Sequence, residues 1–417
     1  MSEWYEIAVQ PRDVLFFCSA KPMNGSSIGE GARWPMPAVF HHSLLGAMHE
    51  RWPETDSDFE HQHYAAKSDV NRNSSFRFGG LQSAGLFPKA SLGEIYLPAP
   101  SDLQYMGESQ DAQSDQLCLL EPGTLDGCGD LPAPLEKGLF KPGKATKNKP
   151  LPWLTKSEFV RYLQGSLSDL TGRKSSEIFT VESRAGIGLN AETGTVEEGQ
   201  LYFAEYMRLN DGYTLAGLAK CKNKRYADGG KSTDVLGKFL ESKSDCSFIL
   251  GGQRGVAYLS GEKNSCFLDD LTKAVNRNSQ RIKWVTLTPS IFNRGWLPGW
   301  INPEDGSISA SQVSKPERNP GETREEWRVR FEKQPVPGKL VAASVPKPLE
   351  YSGWRVHGGN DKIGARPTRL CVPAGAVYYF DVPAGQSVEP LLKLLNGRCK
   401  SGVAAEKGFG LGVCGNW

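Results

Sequence analysis

Apolar side chains alternate at Tyr5, Ile7 and Val9 in the opening segment WYEIAVQPRDVLFF until Pro11 breaks the run, the period-two pattern of a half-buried strand. Beyond a Gly- and Ser-rich loop, Val39, Leu44, Leu45 and Met48 recur at helical spacing behind Pro37, which predicts a helix over about 38–52. The strand-like runs SSFRFGGLQSAGLFP and GEIYLPAP follow, a strand, helix, strand order suited to a ferredoxin-like half-domain. From about 103 to 150 the chain reads as loop, with six lysines between Lys137 and Lys156 among Pro and Gly, the composition of a solvated linker. A helix is expected in KSEFVRYLQGSLSDL, then a long β-hairpin whose strands flank a turn at Asn190 to Gly199. The last third offers the strand IKWVTLTP, a charged loop at 302–335, a hairpin in TRLCVPAGAVYYFDVP around Pro373-Ala374-Gly375, and a helix over 387–400 with Leu391, Leu392 and Leu395 on its apolar face. The pattern divides into 1–130, a middle region 131–283 carrying the hairpin, and 284–417, an α+β chain of strands joined by long loops.

A chain of 417 residues with 39% hydrophobic content has room for two or three domains and ample core. A formal charge of +2 does not announce a nucleic-acid partner, but its distribution is uneven. Glu50 to Asp130 holds fourteen acids against five bases, a net of −9, whereas Lys339 to Trp417 holds ten bases against five acids, a net of +5. That asymmetry points to a polar molecule with a basic face. The nine cysteines are scattered and never spaced C-x-x-C, which argues against a disulfide framework or a zinc ribbon and suits a reducing cytosol. The start MSEWYEIAV carries acids where a secretory signal carries bases, and no apolar run approaches the roughly 18 residues that cross a bilayer. A cytoplasmic protein without membrane contact is expected.

Near the end, Gly410, Gly412 and Gly415 spell G-x-G-x-x-G, the spacing of the dinucleotide-binding fingerprint. That fingerprint needs a strand before it and a helix after it, whereas here a predicted helix precedes and only Asn416 and Trp417 follow. No G-K-[ST] closes a P-loop, and no chain follows to supply a kinase-type lysine and aspartate. Two readings remain: a glycine turn that presents bare backbone N–H groups to a phosphate, with Lys407, Lys400 and Arg398 as counter-charge, or a tight turn with no ligand. Neither a cofactor nor a metal is expected.

Seven segments in order touch most of the chain: PRDVLFF, RWPMPAVFHHSLLGAM, YLPAPSDL, SRAGIGLNAETGTVEEGQLYFAEYMRL, TLTPSIFNRGWLP, VPAGAVYYFDVP and KGFGLGVCG. Together they resemble the RAMP proteins of CRISPR systems, in the arrangement of the third subunit of the type III-B Cmr effector complex. The resemblance implies two ferredoxin-like (RRM-like) halves with an inserted hairpin and long loops, and an antiviral role without catalysis. It also implies a grip on the 5′ repeat-derived tag of the guide RNA (crRNA). The implied partners are the large polymerase/cyclase-like subunit and an adjacent RAMP backbone subunit, with target RNA contacted indirectly. One position departs from the family: Cys18 stands where its Leu-Phe-Phe-Arg motif has arginine, leaving Lys21 or Arg12 as substitutes for a phosphate contact.

The candidate RNA-binding set is Arg33, His41, His42, Arg184, Asn190, Arg254, Arg294, Lys407, Gly408, Phe409, Gly410 and Gly412. His41 and His42 open the first helix and either face RNA, form half of a metal-free ribonuclease site, or are ordinary helix histidines. Arg184, Asn190 and Tyr202 lie on the hairpin that the family uses as a thumb over the guide, or else pack on the next subunit. Arg254 in GGQRG and Arg294 in IFNRGW are framed by glycine, as suits a charge held on a shaped loop. Trp296 and Trp300 suit base stacking or plain packing, and His61 with His63 lacks a third ligand at metal spacing. Two rival functions stand beside the scaffold reading: a guide-processing endoribonuclease and an assembly subunit that touches only protein. A type III-D analogue is the near alternative within the family.

Overall fold

The alternation at the start becomes the strand Tyr5–Pro11, with Ile7 and Val9 fully buried. The computed structural model describes residues 4–18, 20, 28–29, 34–51, 78, 80–107, 116–125, 130–190, 192–224, 232–241, 246–262, 266–310, 319–332, 334–355 and 364–417. The protein has mixed α/β structure with more strand than helix, built on two six-stranded antiparallel sheets.

In the first sheet the strand Tyr213–Lys224 is the hub, paired with Tyr5–Pro11 on one side and Leu81–Ala90 on the other. Val256–Glu262 lines the far side of Tyr5–Pro11, and Cys246–Ile249 lies beyond it. The central order is therefore 256–262, 5–11, 213–224, 81–90. The expected first helix is observed as Pro37–Arg51, and with Val235–Glu241 it packs Phe40, Leu44, Met48, Leu236 and Phe239 on Ile7 and Val9. Because this sheet takes strands from both sides of residue 131, it spans the first two of the three expected regions.

The second sheet runs Ser307–Ala310, Gln334–Ser344, Val377–Asp381, Arg281–Thr286, Leu411–Asn416, Arg398–Cys399. The expected hairpin around Pro373-Ala374-Gly375 is not formed. Arg369–Cys371 pairs with Leu349–Tyr351, while Val377–Asp381 runs between Arg281–Thr286 and Gln334–Ser344. Val377–Phe380 is apolar throughout and buried on both faces, so it takes the centre of a sheet rather than the arm of a ribbon. The last helix is Glu389–Leu395, shorter than expected, with Leu391, Leu392 and Leu395 buried.

Between the sheets lies a shared core in which Ala84, Ala216 and Leu218 from one sheet meet Val285, Val341, Leu411 and Val413 from the other, with Phe159 and Tyr162 of a helix filling the gap. That helix is Lys156–Leu163 rather than the longer one expected. Thr155 and Glu158 form a capping box at its start, and Gly165 with φ +82° turns the chain away at its end. The stretch 103–150 is not plain linker: Leu103–Gly107 pairs with Gln116–Leu119, and Lys137 Nζ reaches Asp381 Oδ2 at 2.7 Å. Its anchor is Asp102, only 1% exposed, whose carboxylate accepts from Tyr162 at 2.8 Å and Tyr379 at 2.7 Å, with Lys283 Nζ 3.8 Å away. Burial holds the Lys283 ammonium below its usual pKa, opposed by the Asp102 charge.

The expected hairpin is present as Phe179–Leu189 and Val196–Leu209, inserted before the hub strand of the first sheet. Among the described residues no helix is long and apolar enough to cross a membrane.

Candidate nucleic-acid interface

Two clusters collect the expected site residues. The first forms at the base of the hairpin. Leu15 bridges to Met207 and Phe16 to Gly252, so the segment after the first strand is stitched to both the hairpin and the loop 251–255. These bridges bring Arg12, Arg184 and Arg254 around one cleft of about 310 Å³, with Phe16 and Tyr206 in its wall. The two rings lie 5.4 Å apart, and the Arg184 guanidinium sits 5.0 Å over the Tyr206 ring.

Two carboxylates share this neighbourhood: Asp13, which also lines the cleft, takes Arg208 at 2.8 Å, and Glu182 takes Arg208 together with the cleft's own Arg184, the latter at 3.1 Å. Arg184 and Arg254 remain exposed. Arg254 and its neighbour Gln253 both hold φ +55°, a left-handed conformation that costs a non-glycine residue about 1–2 kcal/mol. Such a cost at two consecutive positions places the guanidinium on a fixed loop.

The second cluster surrounds the glycine turn. Ala405–Lys407 forms a single 3-10 turn that leads into the last strand, with Lys407 half-buried at its mouth. His41 is buried, its Nδ1 3.0 Å from Ser83 Oγ, and its ring stands 5.8 Å edge-on from that of His42. Burial pushes His41 down to about 3, helped by the charges of His42 and Lys407. The His42 ring has an edge in solvent, yet the surrounding protein, then Lys407 and Arg366, pulls it down to about 4. Both imidazoles are therefore neutral at pH 7. Arg294 is exposed on the neighbouring turn, which is tied to the glycine segment by Gly402 N donating to Ile291 O at 2.9 Å.

The glycines themselves do not face outward. Gly408 holds φ +91° and Gly410 φ +74°, but a Cβ at Gly408 would stand 2.6 Å from Ser83 O and one at Gly410 2.5 Å from Ser401 N. A Cβ at Gly412 would stand 2.2 Å from Trp284 Nε1. Their N–H groups are equally engaged: Gly408 donates to Ala405 O, Gly410 to Pro289 O at 2.8 Å, and Leu411 to Thr288 Oγ1 at 2.9 Å. The expectation that bare N–H groups here cradle a phosphate is corrected accordingly, because the turn's donors and its missing side chains are used against the protein's own backbone and side chains. Phe409 is fully buried with Ala38, Ile291 and Cys371, so it belongs to the core.

Three further expectations meet different surroundings. Asn190 is at the hairpin turn, where its Oδ1 accepts from Glu192 N at 2.9 Å and Thr193 N at 3.1 Å, so its side chain shapes the turn. Trp300 packs on Phe380 at 6.1 Å and Trp284 at 5.9 Å, and Trp296 is partly buried against the same core, which assigns both tryptophans to packing. Arg33, Lys21, His61 and His63 lie outside the described residues. Sequence reasoning did not single out Phe16 and Tyr206, although both lie in the segments PRDVLFF and SRAGIGLNAETGTVEEGQLYFAEYMRL, nor Arg366, because they reach the clusters only through long-range pairing. Among the described residues no group of His, Cys, Asp and Glu is placed to hold a metal ion.

A family model described as CRISPR-associated protein (Cas_Cmr3) matches residues 7–417. No curated protein matches the chain. Among solved structures, the chain is similar to one in a type III-B Cmr-beta complex bound to cognate target RNA and AMPPnP, at 12% identity and TM-score 0.43, covering 90% of this chain and 86% of that one. It is also similar to a chain of a Csm3-Csm4 subcomplex of the type III-A CRISPR-Cas interference complex, at 9% identity and TM-score 0.35, covering 91% and 94%.

Proposed function

The chain belongs to the Cas_Cmr3 family of CRISPR-associated proteins, and from that premise we propose that it is a non-catalytic, crRNA-binding subunit of a type III-B effector complex. Its role there is to hold the 5′ repeat-derived tag of the guide and to dock the large polymerase/cyclase-like subunit and an adjacent RAMP backbone subunit, with target RNA reached only through the guide. The observation that carries this reading is the convergence of Arg12, Arg184 and Arg254 on one cleft walled by Phe16 and Tyr206. Arginines supply phosphate contacts, and the Tyr206 ring under the Arg184 guanidinium holds that charge at the cleft wall, which suits the backbone of single-stranded RNA. Arg12 is the cation at hand to replace the family arginine whose place Cys18 takes.

The strand orders support a ferredoxin-like reading of both halves. In the first, strands 5–11, 81–90, 213–224 and 256–262 stand in the order fourth, first, third, second. Strands 281–286, 334–344, 377–381 and 411–416 repeat that order in the second. The hairpin is then an insertion between the second and third strands of the first half.

The endoribonuclease alternative is disfavoured by the histidines. A general acid must hold a proton near the operating pH, and imidazoles at about 3 and about 4 hold almost none at pH 7. His41 is moreover buried against Ser83. The test is filter binding of a 5′-tagged guide to the full chain, with cleavage followed in the same samples. The expected result is salt-dependent binding without cleavage, weakened in an Arg184→Ala, Arg254→Ala variant. Cleavage of repeat RNA that disappears in His42→Ala overturns the non-catalytic reading, and unchanged guide affinity in the arginine variant overturns the site.

A further inference from the structure

A second cleft of about 310 Å³ opens beside the 3-10 turn and is lined from both sheets. Trp4 and Lys220 line it from the first sheet, and Lys393, Arg398, Lys400 and Glu406 from the C-terminal half. Lys220 Nζ lies 4.5 Å over the Trp4 ring, which holds that cation at the cleft wall. Lys393 is in the last turn of the helix Glu389–Leu395, and Arg398 begins the edge strand that leads to Lys400.

Four cations thus share one concavity with a single carboxylate. Lys400 is half-buried, and burial first and the Arg398 charge second hold its ammonium below the usual lysine pKa. Cations drawn from three separate elements converge here, and a bound anion offsets the repulsion between half-buried Lys400 and Arg398. The ammonium groups act as point charges toward phosphate oxygens, and the guanidinium adds a planar fork. The volume matches the lower end of small-ligand sites. An acidic peptide would have to crowd several carboxylate side chains into that volume, whereas a phosphate chain carries the same charge compactly.

We propose that this cleft, formed by Lys220, Lys393, Arg398 and Lys400 beside Trp4, is a binding site for the polyphosphate of a nucleotide, distinct from the guide-binding cleft under the hairpin. The source of the phosphates is either a free nucleoside triphosphate or the triphosphorylated end of an RNA strand.

The test is isothermal titration of the full-length protein at low salt with ATP, with inorganic tripolyphosphate, and with a short 5′-triphosphorylated oligouridylate. Saturable one-to-one binding of tripolyphosphate and of at least one of the other two probes is expected. Tighter binding of ATP identifies a free nucleotide, and tighter binding of the oligouridylate a strand end. Lys393 and Arg398 are exposed, so Lys393→Ala, Arg398→Ala should stay folded by circular dichroism and lose affinity at least tenfold. Lys147→Ala, which removes an exposed lysine outside the cleft, should leave affinity unchanged. The absence of saturable binding by every probe, or equal binding by the Lys393, Arg398 variant and the parent, overturns the proposal.

Discussion

The hairpin cleft and the glycine turn both carry residues expected to touch RNA, and they use those residues in opposite ways. At the hairpin the chain holds a non-glycine loop in a left-handed conformation, with Gln253 and Arg254 at φ +55°, and leaves the cation exposed. At the turn, glycines permit close approach, but what approaches is Ser83, Ser401 and Trp284. Positive φ at a glycine is conformationally cheap, whereas at Gln253 and Arg254, as at Ala404 leading into the turn, it carries a cost.

The sharpest way to break this comparison is at Gly412. A side chain there overlaps the buried Trp284 indole, so Gly412→Val should destabilise the protein by about 3 kcal/mol or more and show loss of structure in thermal melts. A folded variant of parental stability that has lost guide binding would restore the turn as an RNA cradle.

Next in size is Arg184→Ala with Arg254→Ala. Both side chains are exposed, so stability should hold while guide binding falls by about 1.5–3 kcal/mol for each charge-assisted hydrogen bond removed. The slope of log K against log salt should flatten by about 0.7 for each phosphate no longer neutralised, readable in filter binding at several salt concentrations.

Acid separates the two regions as well. His41 folds with its pKa lowered to about 3 from the ordinary 6.5, so the unfolded chain binds the extra proton first. Stability should be full above about pH 6.5 and decline as pH falls toward about 3. His41→Gln should flatten the urea-midpoint profile across that window, and an unflattened profile would place the acid-sensitive group elsewhere.

The smallest change is expected from Lys407→Ala. Its charge depresses both histidines, so its removal should raise the His42 pKa, visible in imidazole proton shifts. The half-buried cation at the mouth of the turn should cost guide affinity no more than about 1 kcal/mol.

The first strand, the first helix and the long hairpin were legible because each carries its own period: Ile7 and Val9 alternate, Leu44 and Met48 repeat at helical spacing, and the hairpin strands flank a turn held by Asn190. The central strand Val377–Asp381 was misassigned because a strand buried on both faces has no alternation to mark its neighbours, and its partners lie far along the chain. Arg254 stood out as a charge beside glycines and Arg184 by its place on the hairpin. Phe16 and Tyr206 did not, since an aromatic residue in a strand looks the same whether it fills a core or lines a cleft.

The sequence by itself determined where charge and chain flexibility lie: a basic C-terminal third, arginines framed by glycine, and a G-x-G-x-x-G that follows a helix where a dinucleotide fold needs a strand. Only the tertiary structure decided which of these face outward. Sheet pairing carried Arg12, Arg184 and Arg254 to one cleft across more than two hundred residues of chain, and gathered Lys220, Lys393, Arg398 and Lys400 at another. The same pairing closed Gly408, Gly410 and Gly412 onto neighbouring backbone and indole. Local sequence sets a residue's period and its allowed φ, whereas the identity of the atom opposite it is set by strand register and by the packing of the two sheets on one another.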